Sequence, residues 1–455
     1  MTIIDPARDD ISALRDLCGG AVALPGDDGY DAARQGFNLA VDQRPAAVAY
    51  PADADEVADV IRCARAAGLR VAPQATGHNS GPLGDLADTV LLKTSGMGGV
   101  EIDPERQIAR VGAGVLWEDV VDAAAPHGLY PLHGSSPDVS VVGYSLGGGM
   151  GWLARSHGLQ ANSVTAIELV TADGEIRRVD TRNDSELFWA LRGGGGNFGV
   201  VTALEFRLYE LREVFAGMLI WDWSEAERVL TAWSEWAVTA PDTVTMSFRI
   251  MQLPPLPEIP EPIRGRSLVM IDGAVQGSNP ADVIAPLRAL KPEMDTFATV
   301  PAAALVRLHQ DPEEPMPGVS DTALIDTLPS EAIDMLLEFA GPGSGSPLMM
   351  VELRQLGGAL RRIEPGSGAA AIIDAQFLLF AASMAMDADM GAMIAGYAGG
   401  MMDAMAPWAA RGHYLNFAEH KVDTSEAYEP TAYARLRAVK ERVNPDNIIR
   451  ANHEL

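Results

Sequence analysis

The rhythm of apolar and polar positions changes near Leu211. Upstream of it the apolar runs are short and switch between a period of two and a helical period. "AVAYP" reads as a strand, "DADEVADVIRCARAAG" as an amphipathic helix closed by a glycine, and "LRVAP" and "TVLLKTS" as buried strands. "GVEIDPERQIARVGAG" reads as a hairpin turning at Asp103-Pro104-Glu105, and "TAIELVTADGEIRRVD" as a second turning at Asp173-Gly174. "LWEDVVDAAAPHG" and "SELFWALRG" read as helices, and "GVVTALEFRLYEL" as a strand. Downstream of Leu211 helices and strands lengthen, as in the helix "SEAERVLTAWSEWAV". "QLPPLPEIPEPIRG" is a proline-rich loop, since its prolines exclude a central strand or helix. "MAMDADMGAMIAGYAGGMMDAM" reads as an amphipathic helix on a sheet, with a flexible pocket wall as the alternative. "AYARLRAVKERVNPDNIIR" is a helix stopped at Asn444-Pro445.

Composition narrows the classes. The chain has 455 residues, 47% apolar and 21% charged, with a formal net charge of −28. That is an ordinary globular composition, with core enough for more than one domain. The acidity argues against nucleic-acid and membrane partners, because phosphate backbones and anionic lipid repel such a surface. Two cysteines, Cys18 and Cys63, make no disulfide framework, and Cys63 is expected to pack as a small hydrophobe. "MTIIDPARDD" has neither a basic n-region nor an apolar h-region, and no run reaches membrane-spanning length, so a cytoplasmic protein is expected. No metal site is expected.

Two literal motifs invite readings that their contexts oppose. "GYSLG", Gly143 to Gly147, matches the nucleophile elbow of a serine hydrolase with Ser145 as nucleophile. Its flanks read as hairpins rather than alternating strands and helices, so this is a remote reading. "GGGNFG", Gly194 to Gly199, matches a dinucleotide fingerprint, but here the helix precedes and the strand follows, the reverse of what that fingerprint needs. What remains is a set of four glycine-rich turns, "PQATGHNSG", "LHGSSPDVSVVG", "LGGGMG" and "RGGGGNFG". Glycines let backbone amides approach a ligand closely, and inward-pointing amides suit a diphosphate. Four such loops point to a nucleotide cofactor.

In order, "RPAAVAYPADADEVADVIRCARAAGLRVAPQATGHN", "VLWEDVV", "GSSPDVSVVGYSLGGGMG", "DGEIRRVD", "DSELFWALRGGGGNFGVVTALEF" and "YARLRAVKERVNPDNIIR" resemble the FAD-linked oxidases of the vanillyl-alcohol oxidase superfamily, berberine bridge enzyme-like group. The resemblance implies an α+β fold in two parts. An FAD-binding domain would comprise residues 1–210 and a C-terminal return at 411–455, and a substrate domain at 211–410 would be an antiparallel sheet flanked by helices. It also implies a histidine bonded covalently to the flavin, and the matching position is His78. Thr76 and Asn79 depart from the family's usual G-G-H-S. Ser136 stands where some members carry a second, cysteine attachment, so a single covalent bond is expected. The implied FAD contacts are Ala75, Thr76, Gly77, His78, Asn79, Ser135, Ser136, Val139, Ser140, Val141, Gly143, Tyr144, Gly147, Gly148, Gly149, Gly151, Gly199, Val200, Val201 and Asn416. In that reading Ser145 is structural.

The implied reaction is hydride removal from a C–H beside oxygen or nitrogen, with the O–H or N–H proton passing to a base. Tyr414 is the first candidate, as base or positioner, with Asn416 orienting it or the flavin. Glu352 is the second, since alternation along "VELRQLGGAL" can aim it and Arg354 at one face. The expected substrate is a sugar, an amine or alkaloid, or another small metabolite, with O₂ as acceptor. Val164 lies near where the family governs oxygen access. A flavin-retaining cyclase or binding protein without net turnover is the alternative.

Overall fold

The computed structural model describes residues 11–455. Two larger sheets build the N-terminal part, beside a short antiparallel pair of Leu129–Tyr130 with Tyr209–Glu210. In the first, Ala47–Ala49 and Arg70–Gln74 both run parallel to the strand between them, Thr89–Lys93, and Val22–Ala23 closes one edge antiparallel. The crossover helix Ala54–Ala66 starts where the Asp53 carboxylate accepts from the Glu56 amide. Its buried positions Val57, Val60, Ile61 and Ala64 recur at helical spacing, so one stripe faces the core. The second sheet is five-stranded and antiparallel, in the order Val100–Asp103, Ile108–Gly112, Val200–Arg207, Val164–Val170, Ile176–Asp180. Both hairpins lie where the turn residues place them.

The chain end returns to this part. Helix Pro430–Val443 packs on helix Ser185–Leu191. The Arg450 amide donates to the Val71 carbonyl, and the Asn444 side chain donates to the carbonyls of Asn197 and Ile449.

The middle of the chain forms one antiparallel sheet. Its central strands are Ser267–Val275, Val244–Gln252, Met350–Gln355 and Phe377–Met384, in that order, with Glu213–Asp222 and Gly318–Ile325 outside them. Alternation sorts the faces. Met246, Phe248, Ile250, Val351 and Leu353 join the core beneath helices Ala226–Thr239, Ser330–Ala340 and Ala388–Met405. Trp233 is fully buried in that core, and truncating it to alanine costs about 3–5 kcal/mol. The methionine-rich segment is the third of these helices, and it buries Ile394, Ala398, Met401 and Met405. It packs on the sheet and contributes nothing to the main cavity. The opposite face carries Ser247, Arg249, Glu352 and Arg354 toward the N-terminal part. Cys18 is buried and Cys63 is partly buried against the N-terminal core. Among the described residues no helix is long and apolar enough to cross a membrane.

Candidate active site

A cavity of about 430 Å³ separates the glycine-rich turns from the polar face of the large sheet. One wall is backbone-rich and includes Gly77, Gly134, Gly143, Gly147 and Gly193 to Gly196. The other includes Met350, Arg354, Phe380 and Phe417. Local sequence explains the first wall. Ser140 caps the helix Val141–Leu146 by accepting from the Gly143 amide. After it the chain passes Tyr144 and His133 too closely for side chains. A Cβ at Gly149 would lie 2.4 Å from the Tyr144 ring, and one at Gly151 would lie 1.8 Å from the His133 carbonyl. At Gly143 a Cβ would meet nothing within 4 Å, so this glycine faces the cavity.

Most expected cofactor residues share this cavity. Ala75, Thr76, Gly77, His78, Asn79, Ser135, Ser136, Val139, Ser140, Gly143, Tyr144, Gly147, Gly199, Val201 and Asn416 line it. Val141 and Val200 lie behind it, fully buried in the core. Gly148, Gly149 and Gly151 are also off the wall; close packing accounts for Gly149 and Gly151, and a φ of +120° for Gly148. Val164 begins a strand of the five-stranded sheet and does not line the cavity, so it says nothing about oxygen access. Ser145 lies inside the Val141–Leu146 helix rather than on an elbow, and its hydroxyl is buried without a hydrogen-bond partner.

His78 is held firmly. Its ring stacks on Phe37 at 3.8 Å, Nδ1 is 2.7 Å from the Thr76 hydroxyl, and Nε2 is 3.2 Å from Asp138 Oδ2. The last contact is an ion-pair distance whose alignment falls short of a hydrogen bond. Burial raises the Asp138 carboxyl, but His78 and Ser136 outweigh it and hold the group below the usual carboxylate range. Ser136 donates its hydroxyl to Asp138. The Asn79 amide donates to the Leu415 carbonyl at 2.9 Å and leaves its own oxygen without a partner.

Tyr414 and Glu352 differ in kind. Tyr414 is 5% exposed and lies behind Gly148, off the main wall. Asn416 Nδ2 donates to its oxygen at 3.3 Å and to the Tyr144 carbonyl at 3.0 Å. Burial pushes the Tyr414 hydroxyl well above the ordinary tyrosine range, against Asn416 and the amides of Gly149 and Met150. It is neutral at neutral pH. Glu352 is fully buried, with Oε1 receiving Arg354 Nε at 2.8 Å and lying 3.2 Å from His309 Nε2. Burial alone would raise its pKa, but Arg354 and His309 outweigh burial and hold it well below the ordinary carboxylate range. Glu352 opens onto a side cavity of about 20 Å³, walled also by Ser135, Trp152 and Arg354. Ser135 and Arg354 line the main cavity too.

Glu352 belongs to a larger buried network that sequence reasoning did not find. Asp272 receives Arg249 at 2.6 Å and lies 2.7 Å from His309 Nδ1. Burial and Arg249 lower the His309 pKa, but Asp272, Asp311 and Glu352 outweigh them and lift it to about 9. Ser135 donates to Asp311 at 3.1 Å and lies 3.3 Å from Arg354 Nη2, which joins the network to the cavity. The available signal was a lone arginine in "MSFRIM" and a lone aspartate in "VMIDGAV", since a charge inside an apolar strand needs a buried partner. Glu419, also on the cavity wall, is raised by burial to about 7.

These residues fit an FAD. A long cleft with exposed backbone amides, a glycine opening into it at Gly143, a histidine anchored at one end and an orphaned amide oxygen at Asn79 is what a dinucleotide with a polar ring requires.

Comparisons with known proteins agree. Residues 45–180 match the FAD binding domain family. The chain is 37% identical over 209 residues to (R)-6-hydroxynicotine oxidase of Paenarthrobacter nicotinovorans, covering 46% of each, so the match spans about half of that enzyme. It is 25% identical to xylooligosaccharide oxidase of Thermothelomyces thermophilus over 90% of this chain and 87% of the other. The fold matches the Physcomitrella patens BBE-like 1 structure with a TM-score of 0.85 over 99% of both chains, at 19% identity. With the motifs, the cavity and the fold in agreement, residues 45–180 carry an FAD binding domain, and the whole chain has the two-part fold of the berberine bridge enzyme-like flavoenzymes.

Proposed function

We propose that this protein is an oxidase that removes a hydride from a C–H beside oxygen or nitrogen in a small organic molecule and returns the electrons to O₂. One observation carries the reading: a single cavity joins the His78–Asp138 loop to the sheet face that bears Arg354 and, beside it, Glu352. Residues 1–210 and 411–455 would hold the cofactor, and residues 211–410 the substrate. Bound FAD supplies the hydride acceptor, tethered once, through His78. The chain supplies the remainder. The glycine turns offer amides to the phosphates, and Asn79 and Asn416 offer amides at the cavity wall. Glu352 takes the substrate proton in this reading, because it opens onto the side cavity that shares Ser135 and Arg354 with the main one. Tyr414, neutral and enclosed, braces the Gly148–Met150 turn through the amides that face its oxygen. This reading places Glu352 ahead of Tyr414, which lines neither cavity.

The test is direct. Purified protein is yellow, anaerobic substrate bleaches it, and air restores the colour with consumption of O₂. Colour that persists under every reducing substrate while ligands still bind would favour the cyclase or binding reading.

A further inference from the structure

Glu352, the proposed base, does not line the main cavity. It opens onto the side cavity of about 20 Å³, and Ser135, Met150 and Arg354 wall both spaces. A proton leaving a molecule in the main cavity therefore has a gap to cross before it reaches the carboxylate. The two oxygens of Glu352 are not equivalent. Oε1 receives Arg354 Nε at 2.8 Å and lies 3.2 Å from His309 Nε2, whereas Oε2 is buried without a partner.

A second residue of the same wall carries an unpartnered buried atom. Trp152 follows Gly151, the glycine pressed against the His133 carbonyl, and its indole Nε1 has no acceptor. The ring centres of Trp152 and His309 are 5.5 Å apart, so the indole stands beside the imidazole that Glu352 faces. A lone donor and a lone acceptor, each costly to bury unpaired and not paired with one another, call for a third group that accepts and donates at once. The volume decides what that group is. One water needs roughly 10–15 Å³, so about 20 Å³ admits a single water and excludes an organic molecule. The other polar side chains of the wall are engaged. Gln355 accepts from the Met246 amide and donates to the Ala237 carbonyl, and Ser247 donates to Asp272. The Ser247 oxygen keeps a lone pair that accepts, which offers the water a third partner.

We propose that the side cavity binds one ordered water, held by Trp152 Nε1 and Glu352 Oε2, and that this water carries the substrate proton to Glu352. The relay rests on the reading of Glu352 as the base; the water site does not. The substrate O–H or N–H bond breaks as its proton bonds to the water oxygen. One O–H bond of the water breaks in turn, and that proton bonds to Glu352 Oε2. The water ends neutral and Glu352 ends as the acid. The electron pair left on the substrate's oxygen or nitrogen closes the double bond to carbon, while the hydride carries two electrons to the bound flavin. Trp152 is a positioning residue: it fixes the water and does not touch the substrate.

The experiment has two arms, both on the holoenzyme. Crystals of the parent should show one water at about 2.7–3.2 Å from both Glu352 Oε2 and Trp152 Nε1. In Trp152→Phe, which keeps an aromatic ring but loses the donor, that water should be lost or displaced from Oε2. Parent density without it overturns the proposal, and this arm needs no substrate. The second arm follows anaerobic flavin reduction in mixtures of H₂O and D₂O, with the fastest of benzyl alcohol, benzylamine and cellobiose as the probe. The rate should curve with deuterium fraction, because two protons move. Trp152→Phe should slow reduction about tenfold, the scale of one hydrogen bond, at unchanged probe affinity and melting temperature. A linear dependence overturns the relay. So does a Trp152→Phe rate equal to the parent's when Glu352→Gln is slow, since the base then works without the water. Reduction untouched by Glu352→Gln refutes the base reading instead, and the crystal density alone then decides the water site.

Discussion

Nε2 of His78 lies 3.2 Å from Oδ2 of Asp138, and the ring is stacked on Phe37 with Thr76 at its other nitrogen. A carboxylate held below its usual range beside an imidazole fixes the ring's orientation and strengthens its nucleophilicity. His78→Ala should release all flavin into the supernatant after acid precipitation. Asp138→Asn should keep binding but slow attachment, so that freshly made protein carries a mixture of bound and tethered flavin. Flavin still attached in the His78 variant removes that residue from the role.

Ser136 is committed to Asp138 through its hydroxyl, and a hydroxyl is a far weaker nucleophile than a thiolate. Digestion of the holoprotein should yield one flavopeptide, containing His78. Ser136→Ala should retain the tether. A mass corresponding to two peptides joined through one flavin contradicts the single attachment.

Ser145→Ala should leave turnover within a few-fold of the parent, because the hydroxyl is enclosed in the helix that carries the glycine wall. A loss of about 10⁴ or more, the scale of a removed nucleophile, would revive the hydrolase. Labelling of the intact protein by a fluorophosphonate gives an independent readout.

Local signals made much of this molecule legible. The Asp103-Pro104-Glu105 and Asp173-Gly174 turns and the Asn444-Pro445 stop act within a few residues, and each element lies where they put it. The glycine turns could be recognised as one wall because glycine is needed wherever backbone must approach something closely, though Gly149 and Gly151 approach Tyr144 and His133. The network of Arg249, Asp272, His309 and Glu352 was not legible as a unit. Its members come from three strands and a loop, and only the sheet register brings Arg249 opposite Glu352. The residue type of Tyr414 suits proton transfer, but its enclosure behind Gly148 is a property of tertiary packing and was not legible in the sequence.

Glu352→Gln and Tyr414→Phe separate the two candidate bases. If Glu352 accepts the substrate proton, its amide should slow anaerobic flavin reduction by roughly 10²–10⁴. Tyr414→Phe should cost less than about tenfold, and chiefly through looser flavin binding, since the ring stays and only the brace to the glycine turn goes. His309 and Arg354 remain charged in the Gln variant, so protein stability is recorded alongside. A reduction rate untouched by Glu352→Gln and abolished by Tyr414→Phe restores the tyrosine to first place.

His309 makes the stability of the protein depend on pH in a defined direction. Its pKa rises from 6.5 to about 9 on folding, under Asp272, Asp311 and Glu352 and against burial and Arg249. A group raised on folding stabilises fully below its unfolded pKa, and that contribution is lost as the pH climbs through the folded value. The contribution is on the order of 3 kcal/mol at pH 6 and fades by about pH 9.5. Lys93 works oppositely: burial lowers it from 10.5 to about 8, so its charge disfavours folding between those values less as the pH rises. Comparing the parent with His309→Gln cancels the lysine. The difference in apparent melting temperature, taken at one scan rate, should be largest near pH 6 and shrink steadily toward pH 9.5. A difference that stays constant over that range would show that His309 is not charged between its two carboxylates, and Glu352 would then owe its ionised state to Arg354 alone.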